Sequence, residues 1–437
     1  MKEIRIPLYG MVQLTDLEWE IINSKPFQRL RRIKQLAFSD YIYPGAVHTR
    51  FEHSIGVMHL ATQAFDCICS KREVRDLLQS KSGLAYNENT RERARQMVRI
   101  SALTHDLGHL PFSHAAEGIL PKQDNEKPYK HEAYSHALIK YYLKDILENH
   151  RENQDFIITS EEIAQFLSGN VTKRLAPIMP WRALIDGELD CDRMDYLRRD
   201  SHHLGVQYGV FDVDRIISTL TLIQQNAAGD VTIGVEEGGL LAIESLILAR
   251  YYMFHQVYFH KVRRYLDLQY AEFMRSLTRK NPIAPPTDET ALDSYIQRDD
   301  WTIQAHIKEE TKLGKNIPAE RIAKRQCEKV VFEVIDPKHS DKLKEAEKIL
   351  KGHEIDFLMD KSDDTYVQKF NKSNILISGE TGFEGLRPIT RCSQVAMKVP
   401  DKIFIGRLYV ASEDRERVRK EGWLKDLQAN EGGEEHE

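Results

Sequence analysis

An adjacent histidine and aspartate, His105-Asp106, are the part of the sequence with the clearest chemistry. Near the end of a helix, one imidazole nitrogen and one carboxylate oxygen can turn to the same ion. Upstream, His53 offers a second imidazole, and downstream, Asp192 offers a second carboxylate. This mixture suits Mn²⁺, Fe²⁺, Zn²⁺ or Ni²⁺ and leaves Mg²⁺ open, whereas Ca²⁺ prefers oxygen ligands alone. We therefore predict one divalent metal site formed by these four residues.

Four motifs surround these residues in a fixed order. They read His-x-Arg-Phe-Glu-His-Ser at 48–54, His-Asp-Leu-Gly-His-x-Pro-Phe-Ser-His at 105–114, His-Glu at 131–132, and Asp-x-Asp-Arg-x-Asp-Tyr-x-x-Arg-Asp-x-His-His-Leu-Gly at 190–205. The sequence resembles the HD superfamily and, more narrowly, its deoxynucleoside triphosphate triphosphohydrolases, from about residue 7 to 265 and more faintly to about 410. The resemblance implies metal-assisted attack of water on the α-phosphorus of a dNTP, giving a deoxynucleoside and triphosphate.

By this resemblance, His109, Glu117 and His131 form a proton relay beside the metal. Hydrolysis of a phosphate ester needs a positioned water and a proton for the leaving oxygen. Histidine titrates near neutrality and a carboxylate can orient it, so the trio suits the task. His105 and His109 are four residues apart and share a helical face if the helix continues across the glycine between them. His114 suits a hydrogen bond on a helix face, and we leave it outside the catalytic set.

A triphosphate carries about four negative charges, so its pocket must supply cations, although the whole chain has a net charge of −5. By the resemblance, Arg50 contacts the α-phosphate region, and Arg193 and Arg250 hold the outer phosphates. Arg193 stands where the family pattern has a lysine, which keeps the charge and offers a planar fork. Arg198 and Arg199 are expected to be solvated charges on a helix surface.

The resemblance also assigns residues to the sugar and base of the nucleotide, namely Gln35, Leu36, Tyr196, Asp200, Phe254 and Tyr258. Gln35 and Leu36 match the segment that disfavours a 2′-hydroxyl, and Asp200 matches the acceptor for the 3′-hydroxyl. Phe254 and Phe259 stand where the family pattern has a histidine and a glutamine near the base. Base preference therefore stays open, because stacking on an aromatic wall is tolerant of base identity whereas hydrogen bonds discriminate.

A second, regulatory site is implied by residues that match activator-binding positions between subunits in the family: Gln28, Arg31, Arg215, His260 and Lys261. Asn23 stands where the family pattern has an aspartate that reads guanine. Its amide lacks the carboxylate that would accept from the guanine N–H groups, so we expect GTP to be a poor activator. The resemblance predicts a homo-oligomer, a dimer or a tetramer, that responds to nucleotides.

The elements that position these residues are predicted to be mainly helical. The periodicity of apolar residues predicts helices at about 16–36 with a break at Pro26, and at 51–70, 91–107, 131–148, 160–168, 188–199, 213–224 and 238–277, with one strand at 231–235. Prolines at 282, 285 and 286 mark a change in composition. Charged helices at 287–325 follow, then strands at 329–335, 374–378 and 403–410 and a helix near 341–351.

We therefore predict a mainly α fold, with an HD-domain helical core and a smaller α+β C-terminal region. The expected divisions are an HD phosphohydrolase domain at 1–280, a helical linker region at 281–325, an α+β region at 326–430 and a disordered tail at 431–437. Hydrophobic residues make up 41% and charged residues 30%, as in soluble globular proteins.

The partners and compartment follow from charge and cysteine usage. Five cysteines form no C-x-x-C pair, which favours a reducing cytoplasm. The start of the chain has no signal or transit pattern, and the most apolar stretch, 240–249, is broken by Glu244. We expect neither a membrane nor a nucleic acid as partner, because the net charge favours neither.

Two alternatives stay beside a dNTP triphosphohydrolase. One is an HD phosphohydrolase for another nucleotide, such as a nucleoside monophosphate or a guanosine alarmone. The His-Asp-x-x-Glu-Asp pattern of alarmone hydrolases is absent, as is a P-loop. The other is a nucleotide-sensing regulatory HD protein whose site has degenerated. The intact set of four predicted metal ligands weighs against it.

Overall fold

The computed structural model describes residues 2–80, 87–123, 125–225, 231–363, 371–379 and 385–429. It opens with an antiparallel hairpin, β1 (Lys2–Ile6) and β2 (Gly10–Leu14), which the sequence did not predict. Helices α1 (Asp16–Asn23) and α2 (Lys25–Arg29) follow, separated at Ser24 beside the predicted break. Thr15 begins α1 with a capping box, because its hydroxyl accepts from the Glu18 N–H. The predicted tail at 431–437 lies outside the described residues.

The helical core carries all the predicted metal ligands. Its helices are α3 (Arg50–Ser70), α4 (Arg72–Ser80), α5 (Glu88–Thr104), α6 (His131–Tyr142), α7 (Lys144–Glu148), α8 (Ser160–Ser168), α9 (Cys191–Leu204) and α10 (Val213–Thr219). Helix α3 is buried on most of its faces and packs against α5 and α9. A Cβ at Gly56 of α3 would collide with the side chains of Asp195 and Arg199 of α9. Only a glycine at this position lets α9 place those charged side chains against α3.

Two predicted helices are wrong in their extent. The helix predicted at 213–224 ends at Thr219, and β3 (Leu220–Gln224) pairs antiparallel with β4 (Val231–Glu236), the predicted strand. Pairing with β4 decides the conformation of this short apolar run, which helical periodicity alone cannot show. The helix predicted at 238–277 is divided into α11 (Leu240–Met253), a π-helical turn (Phe254–Tyr258) and α12 (Lys261–Lys280). His260 caps α12 by accepting from the Val262 N–H.

The rest of the chain forms three helices and an α+β region. The helices are α13 (Glu289–Ile296), α14 (Asp300–Leu313) and α15 (Ile317–Ala323). The remaining elements are β5 (Lys329–Val334), α16 (Ser340–Gly352), β6 (Leu358–Asp363), β7 (Leu376–Ser378), β8 (Arg387–Pro388), α17 (Ile389–Cys392), α18 (Gln394–Lys398), β9 (Phe404–Val410), α19 (Ser412–Glu421) and α20 (Lys425–Ala429). The mainly α fold with a smaller α+β C-terminal region is thus confirmed.

The C-terminal region joins the helical core through a sheet. Strands β5, β9 and β6 form an antiparallel sheet in that order, and one of its faces packs against α12. Strand β7 pairs in parallel with β4, so the second sheet has the order β3-β4-β7-β8. The C-terminal strands β7 and β8 therefore extend the hairpin of β3 and β4 into a four-stranded sheet. Among the described helices, none is long and apolar enough to cross a membrane.

Candidate metal centre and catalytic site

The four predicted metal ligands converge from three helices. His53 lies on α3, His105 and Asp106 directly follow α5, and Asp192 lies in the first turn of α9. His53 Nε2 is 2.9 Å from an Asp192 oxygen and 3.5 Å from an Asp106 oxygen. His105 Nε2 is 3.3 Å from Asp106 Oδ1 and 3.7 Å from Asp192 Oδ1. Donors that bind one ion at about 2.0–2.2 Å lie about 3–3.5 Å apart. His53, His105 and Asp106 lie close enough together to hold one ion, and Asp192 faces both imidazoles.

Both imidazoles turn Nε2 toward the centre of this group, and the lone pair of an unprotonated Nε2 can bind a metal ion. His53 Nδ1 donates to Asp195 Oδ2 at 2.8 Å, and His105 Nδ1 donates to the Ala102 carbonyl at 2.8 Å. Neither Nε2 atom has a hydrogen-bonding partner of good geometry within the described part of the chain. Buried polar atoms without a partner cost free energy unless a ligand meets them. The donor set therefore fits a metal ion, which binds imidazole through such a lone pair.

Asp195 and Arg199 form a hydrogen-bonded pair next to His53, one of the predicted metal ligands. Arg199 forms two hydrogen bonds with the Asp195 carboxylate, at 2.8 and 2.9 Å, and a third with Glu52 at 3.0 Å. Although burial opposes ionisation, Arg199 and His53 lower the pKa of Asp195 to about 2. The expectation that Arg199 is solvated is wrong, because its face of α9 packs on α3. The spacing of Asp192, Asp195 and Arg199 at i, i+3 and i+7 could have revealed this face.

Replacing Asp195 by asparagine is expected to weaken metal binding about 10–100-fold, although Asp195 is not a ligand itself. The carboxylate fixes the tautomer and the orientation of His53, and loss of such a partner has effects of this size. Calorimetric titration of the metal-depleted protein with Mn²⁺ measures the affinity. Asp214→Asn, which changes an exposed aspartate of α10, is the matched control. An unchanged affinity in Asp195→Asn would show that Asp195 does not support the site.

The predicted relay residues form a second cluster beside the metal ligands. His109 Nε2 lies 3.2 Å from Asp106 Oδ1, and its ring stacks on His131 with 3.7 Å between centroids. His131 and His114 both hydrogen-bond to Glu117 Oε1 through Nδ1. The structure therefore brings His109, Glu117 and His131 together. It also adds His114, which sequence reasoning left outside although it belongs to the same motif.

The helix does not continue from His105 to His109, so the two imidazoles do not share a helical face. Helix α5 ends at Thr104, and a turn carries the chain through Gly108. A Cβ at Gly108 would collide with the main chain of His131 and Ser135 in α6. The absence of a side chain at position 108 lets α6 pass close enough for His131 to stack on His109.

Electrostatics shift the pKa values of the two stacked histidines in opposite directions. Burial and the charges of Arg50 and His131 hold the pKa of His109 well below its usual range. Burial also acts to lower the pKa of His131, but the Glu117 carboxylate outweighs it and the pKa is raised. Interactions with His114 and His131 hold the pKa of Glu117 well below its usual range despite burial. The pKa values of the two stacked imidazoles are thus shifted in opposite directions, and the close stacking is an arrangement able to pass a proton.

Arg50 lies directly beside the metal ligands. It is buried, forms an ion pair with Asp106 Oδ2, and donates from Nε to Ser113 Oγ at 3.0 Å. Although burial raises the pKa of Asp106, Arg50 and His105 hold it well below the usual range. A phosphate oxygen bound to a metal at this site would lie next to the Arg50 guanidinium.

Arg193 and Arg250 flank Tyr196. Arg193 is buried and donates from Nη1 to the two carbonyls of 187–188, in the loop before α9. The Arg250 guanidinium lies over the Phe254 ring, 4.6 Å from its centroid. Burial raises the pKa of Tyr196 to about 12, and both guanidinium groups act to lower it. The two predicted phosphate-binding arginines therefore act on the same side chain.

Asp200 accepts two hydrogen bonds at the predicted sugar site. His48 Nε2 lies 2.7 Å from Oδ1, and the Tyr258 hydroxyl donates to Oδ2 at 2.7 Å. His48 was not among the predicted site residues, although it is the first residue of its motif. Gln35 and Leu36 are buried. The Gln35 Oε1 atom has no hydrogen-bonding partner among the residues described, so it can accept a bond from a ligand.

The aromatic side chains predicted near the base pack edge to face. Phe254 lies 5.0 Å from Tyr258 and 5.3 Å from Phe259, measured between ring centroids. The π-helical turn that separates α11 from α12 holds Phe254 and Tyr258. The three rings are buried and give this part of the site an apolar wall.

The predicted regulatory residues lie on three parts of the chain. Gln28 of α2 accepts from Arg31 Nε at 2.9 Å, and the Arg31 guanidinium lies 3.5 Å from the centroid of Phe51. Arg215 of α10 is exposed and donates to the Gly238 carbonyl at 2.8 Å. His260 and Lys261 begin α12. Within one chain, only Gln28 and Arg31 are hydrogen-bonded to each other among these five.

Comparison with known families finds two matches along the chain. Residues 50–197 match the family model of the HD domain, and residues 211–352 match that of the HD associated region. The chain therefore carries a match to the HD domain, a metal-dependent family, and the group of His53, His105 and Asp106 could hold a metal ion.

Individual relatives extend this likeness over most of the chain. An uncharacterized protein of Methanocaldococcus jannaschii is 29% identical over 425 residues, which are 96% of this chain and 81% of that protein. A deoxynucleoside triphosphate triphosphohydrolase homolog of Dictyostelium discoideum is 29% identical over 322 residues, which are 72% of this chain and 58% of that protein. The crystal structure of a hypothetical protein from Aquifex aeolicus has a TM-score of 0.74 and 29% identity, covering 96% of this chain and 99% of that chain. The HD domain and these likenesses support a hydrolase.

Proposed function

We propose that the protein is a metal-dependent dNTP triphosphohydrolase that releases a deoxynucleoside and triphosphate. The observation that supports this proposal is the set of side chains that face the Asp106 carboxylate. Its Oδ2 atom faces His53 and Arg50, and its Oδ1 atom faces His105 and His109. A metal site, a cation for phosphate and a proton relay therefore meet at a single side chain. Hydrolysis of a phosphate ester needs these three together.

In the proposed reaction, a water oxygen bonds to the α-phosphorus while the bond from phosphorus to the 5′-oxygen breaks. His53, His105, Asp106 and Asp192 would hold the divalent ion, which when bound supplies Lewis-acid activation of water and of a phosphate oxygen. The proton that the water loses passes to solvent, and the 5′-oxygen of the leaving deoxynucleoside gains one from the relay of His109, His131 and Glu117. Arg50 would bind the α-phosphate.

The remaining contacts would select the substrate. Arg193 and Arg250 would hold the outer phosphates, and Asp200, supported by His48 and Tyr258, would accept from the 3′-hydroxyl. Gln35 and Leu36 would pack under the sugar, with Tyr196 beside them and Phe254 near the base. The name of the Dictyostelium discoideum relative supports this substrate class. An HD phosphohydrolase for another nucleotide and a nucleotide-sensing regulatory protein are the alternatives.

Product analysis tests this proposal. The protein is incubated with each dNTP and each rNTP, with Mn²⁺ or Mg²⁺, and the products are separated by ion exchange. Deoxynucleoside and triphosphate are expected in equal amounts from dNTPs, with much less from rNTPs. Pyrophosphate with dNMP as the initial products would contradict the proposed bond. No turnover of any dNTP by metal-loaded protein would contradict the activity.

We also propose that the protein is a dimer or tetramer that responds to nucleotides. Arg31 lies over Phe51, two residues before the metal ligand His53 on α3, so a ligand at Gln28 and Arg31 would act close to the site. We expect a dNTP to raise the apparent kcat/KM about 5–150-fold, the usual range for coupled sites, and GTP to do so weakly because of Asn23. Light scattering and kinetics at low substrate, with and without each nucleotide, measure this. A monomer whose hyperbolic kinetics no nucleotide alters would end the regulatory proposal.

A further inference from the structure

Arg29, the last residue of α2, is a buried arginine that donates hydrogen bonds to three main-chain carbonyls. Its Nε donates to Arg298 O at 2.8 Å, Nη2 to His109 O at 2.7 Å and Nη1 to Leu107 O at 3.4 Å. In the described part of the chain, no carboxylate lies within ion-pairing distance of Arg29, and the Tyr295 ring lies 5.1 Å from its guanidinium carbon. Burying a cation without a paired carboxylate costs free energy, so the hydrogen bonds of Arg29 to these carbonyls must offset that cost.

These contacts complete the hydrogen bonding of the turn that carries His109. Within the turn, Leu107 N–H donates to Thr104 O and His109 N–H to Asp106 O. From outside, Ser135 of α6 accepts from Gly108 N–H, and the Tyr295 hydroxyl of α13 donates to Gly108 O. Arg29 binds the two remaining carbonyls. Every N–H and carbonyl group of residues 107–109 is thus bonded, and the guanidinium alone spans both sides of Gly108.

We propose that Arg29 is a positioning residue that holds His109 in contact with Asp106, and that turnover depends on its planar fork. The turn directly follows α5, so the cation also lies where the C-terminal end of a helix attracts positive charge. A lysine would keep the charge but could not reach the carbonyls of Leu107, His109 and Arg298 together. The inference rests on the proposed function because its first readout is the hydrolysis of dNTPs.

Arg29→Lys is expected to lower kcat about 30–100-fold, since a small displacement of a catalytic group has effects of this size. KM and bound metal per chain are expected to stay within about threefold, because Arg29 contacts neither the metal ligands' side chains nor the predicted phosphate site. Tyr295→Phe removes one hydroxyl that holds the same turn, and we expect it to lower kcat about fivefold, the equivalent of one hydrogen bond. Arg99→Lys is the matched control, because Arg99 is also buried and forked, but on Glu18.

The outcomes separate this inference from the proposed function. If the wild-type protein hydrolyses no dNTP, the proposed function fails and so does its readout. If the wild type is active and Arg29→Lys keeps its kcat within twofold, the inference alone is overturned. Loss of metal or a rise in KM in place of the fall in kcat would also overturn it, because a general structural role has that effect. If Arg29→Lys does not fold, Tyr295→Phe is the deciding variant. An unchanged kcat in Tyr295→Phe would show that the hydrogen bonds of this turn do not position His109.

Discussion

Replacing Asp192 or His53 by alanine is expected to remove the tightly bound metal and to lower turnover at least about a hundredfold. Asp192 Oδ1 lies 2.9 Å from His53 Nε2 and 3.7 Å from His105 Nε2, so it faces both imidazoles. Either substitution removes one of four donors. Metal per chain is measured by mass spectrometry after gel filtration, and turnover by steady-state kinetics.

The control for this prediction is Asp214→Ala, an exposed aspartate of α10, which should keep both metal and rate. Circular dichroism and thermal melting establish that each variant is folded. A well-folded Asp192→Ala protein with near-normal turnover would show that the ligand set is misassigned.

Changing His109 or His131 to alanine is expected to leave the metal in place while lowering kcat about 10²–10⁴-fold, the usual contribution of general acid–base catalysis. Neither imidazole is one of the four predicted metal ligands, and His131 is hydrogen-bonded to Glu117 instead. His109 stacks on His131, so the two should act as a unit. The double variant should therefore lose little more than either single one.

His136→Ala is the matched control for the relay, because His136 lies on the same helix as His131 but outside the cluster. Metal content and kcat are measured together for all variants. Loss of metal from both His109→Ala and His131→Ala would place these residues in the coordination sphere and overturn the relay.

The candidate metal ligands could be singled out from the sequence because their chemistry is carried by residue type and motif order. The helices that hold them, α3, α5 and α9, have apolar patterns strong enough to locate them within a few residues. The positions of the ligands relative to one another then follow from packing, which the structure supplies. The sequence therefore predicted that these residues share one site, and the structure adds the distances between them.

The residues that sequence reasoning missed owe their roles to contacts between distant parts of the chain. Arg29 meets Arg298 and His109, which are 269 and 80 positions away, and no local pattern signals such contacts. Arg199 seemed a surface charge because charged residues are rarely buried unless they are paired. Its local partner Asp195 lies four positions away, and its second partner, Glu52, lies 147 positions away. Similarly, β3 forms only because β4 supplies its hydrogen bonds, and its own apolar pattern also fits a helix.

The central claim is that water attacks the α-phosphorus at this metal site, and isotope labelling tests it most directly. A dNTP is hydrolysed in H₂¹⁸O with stoichiometric metal-loaded protein for a single turnover, and both products are analysed by mass spectrometry. The account predicts one ¹⁸O atom in triphosphate and none in the deoxynucleoside, because the bond between phosphorus and the 5′-oxygen breaks. Label in the deoxynucleoside, or in a dNMP released with pyrophosphate, would contradict it.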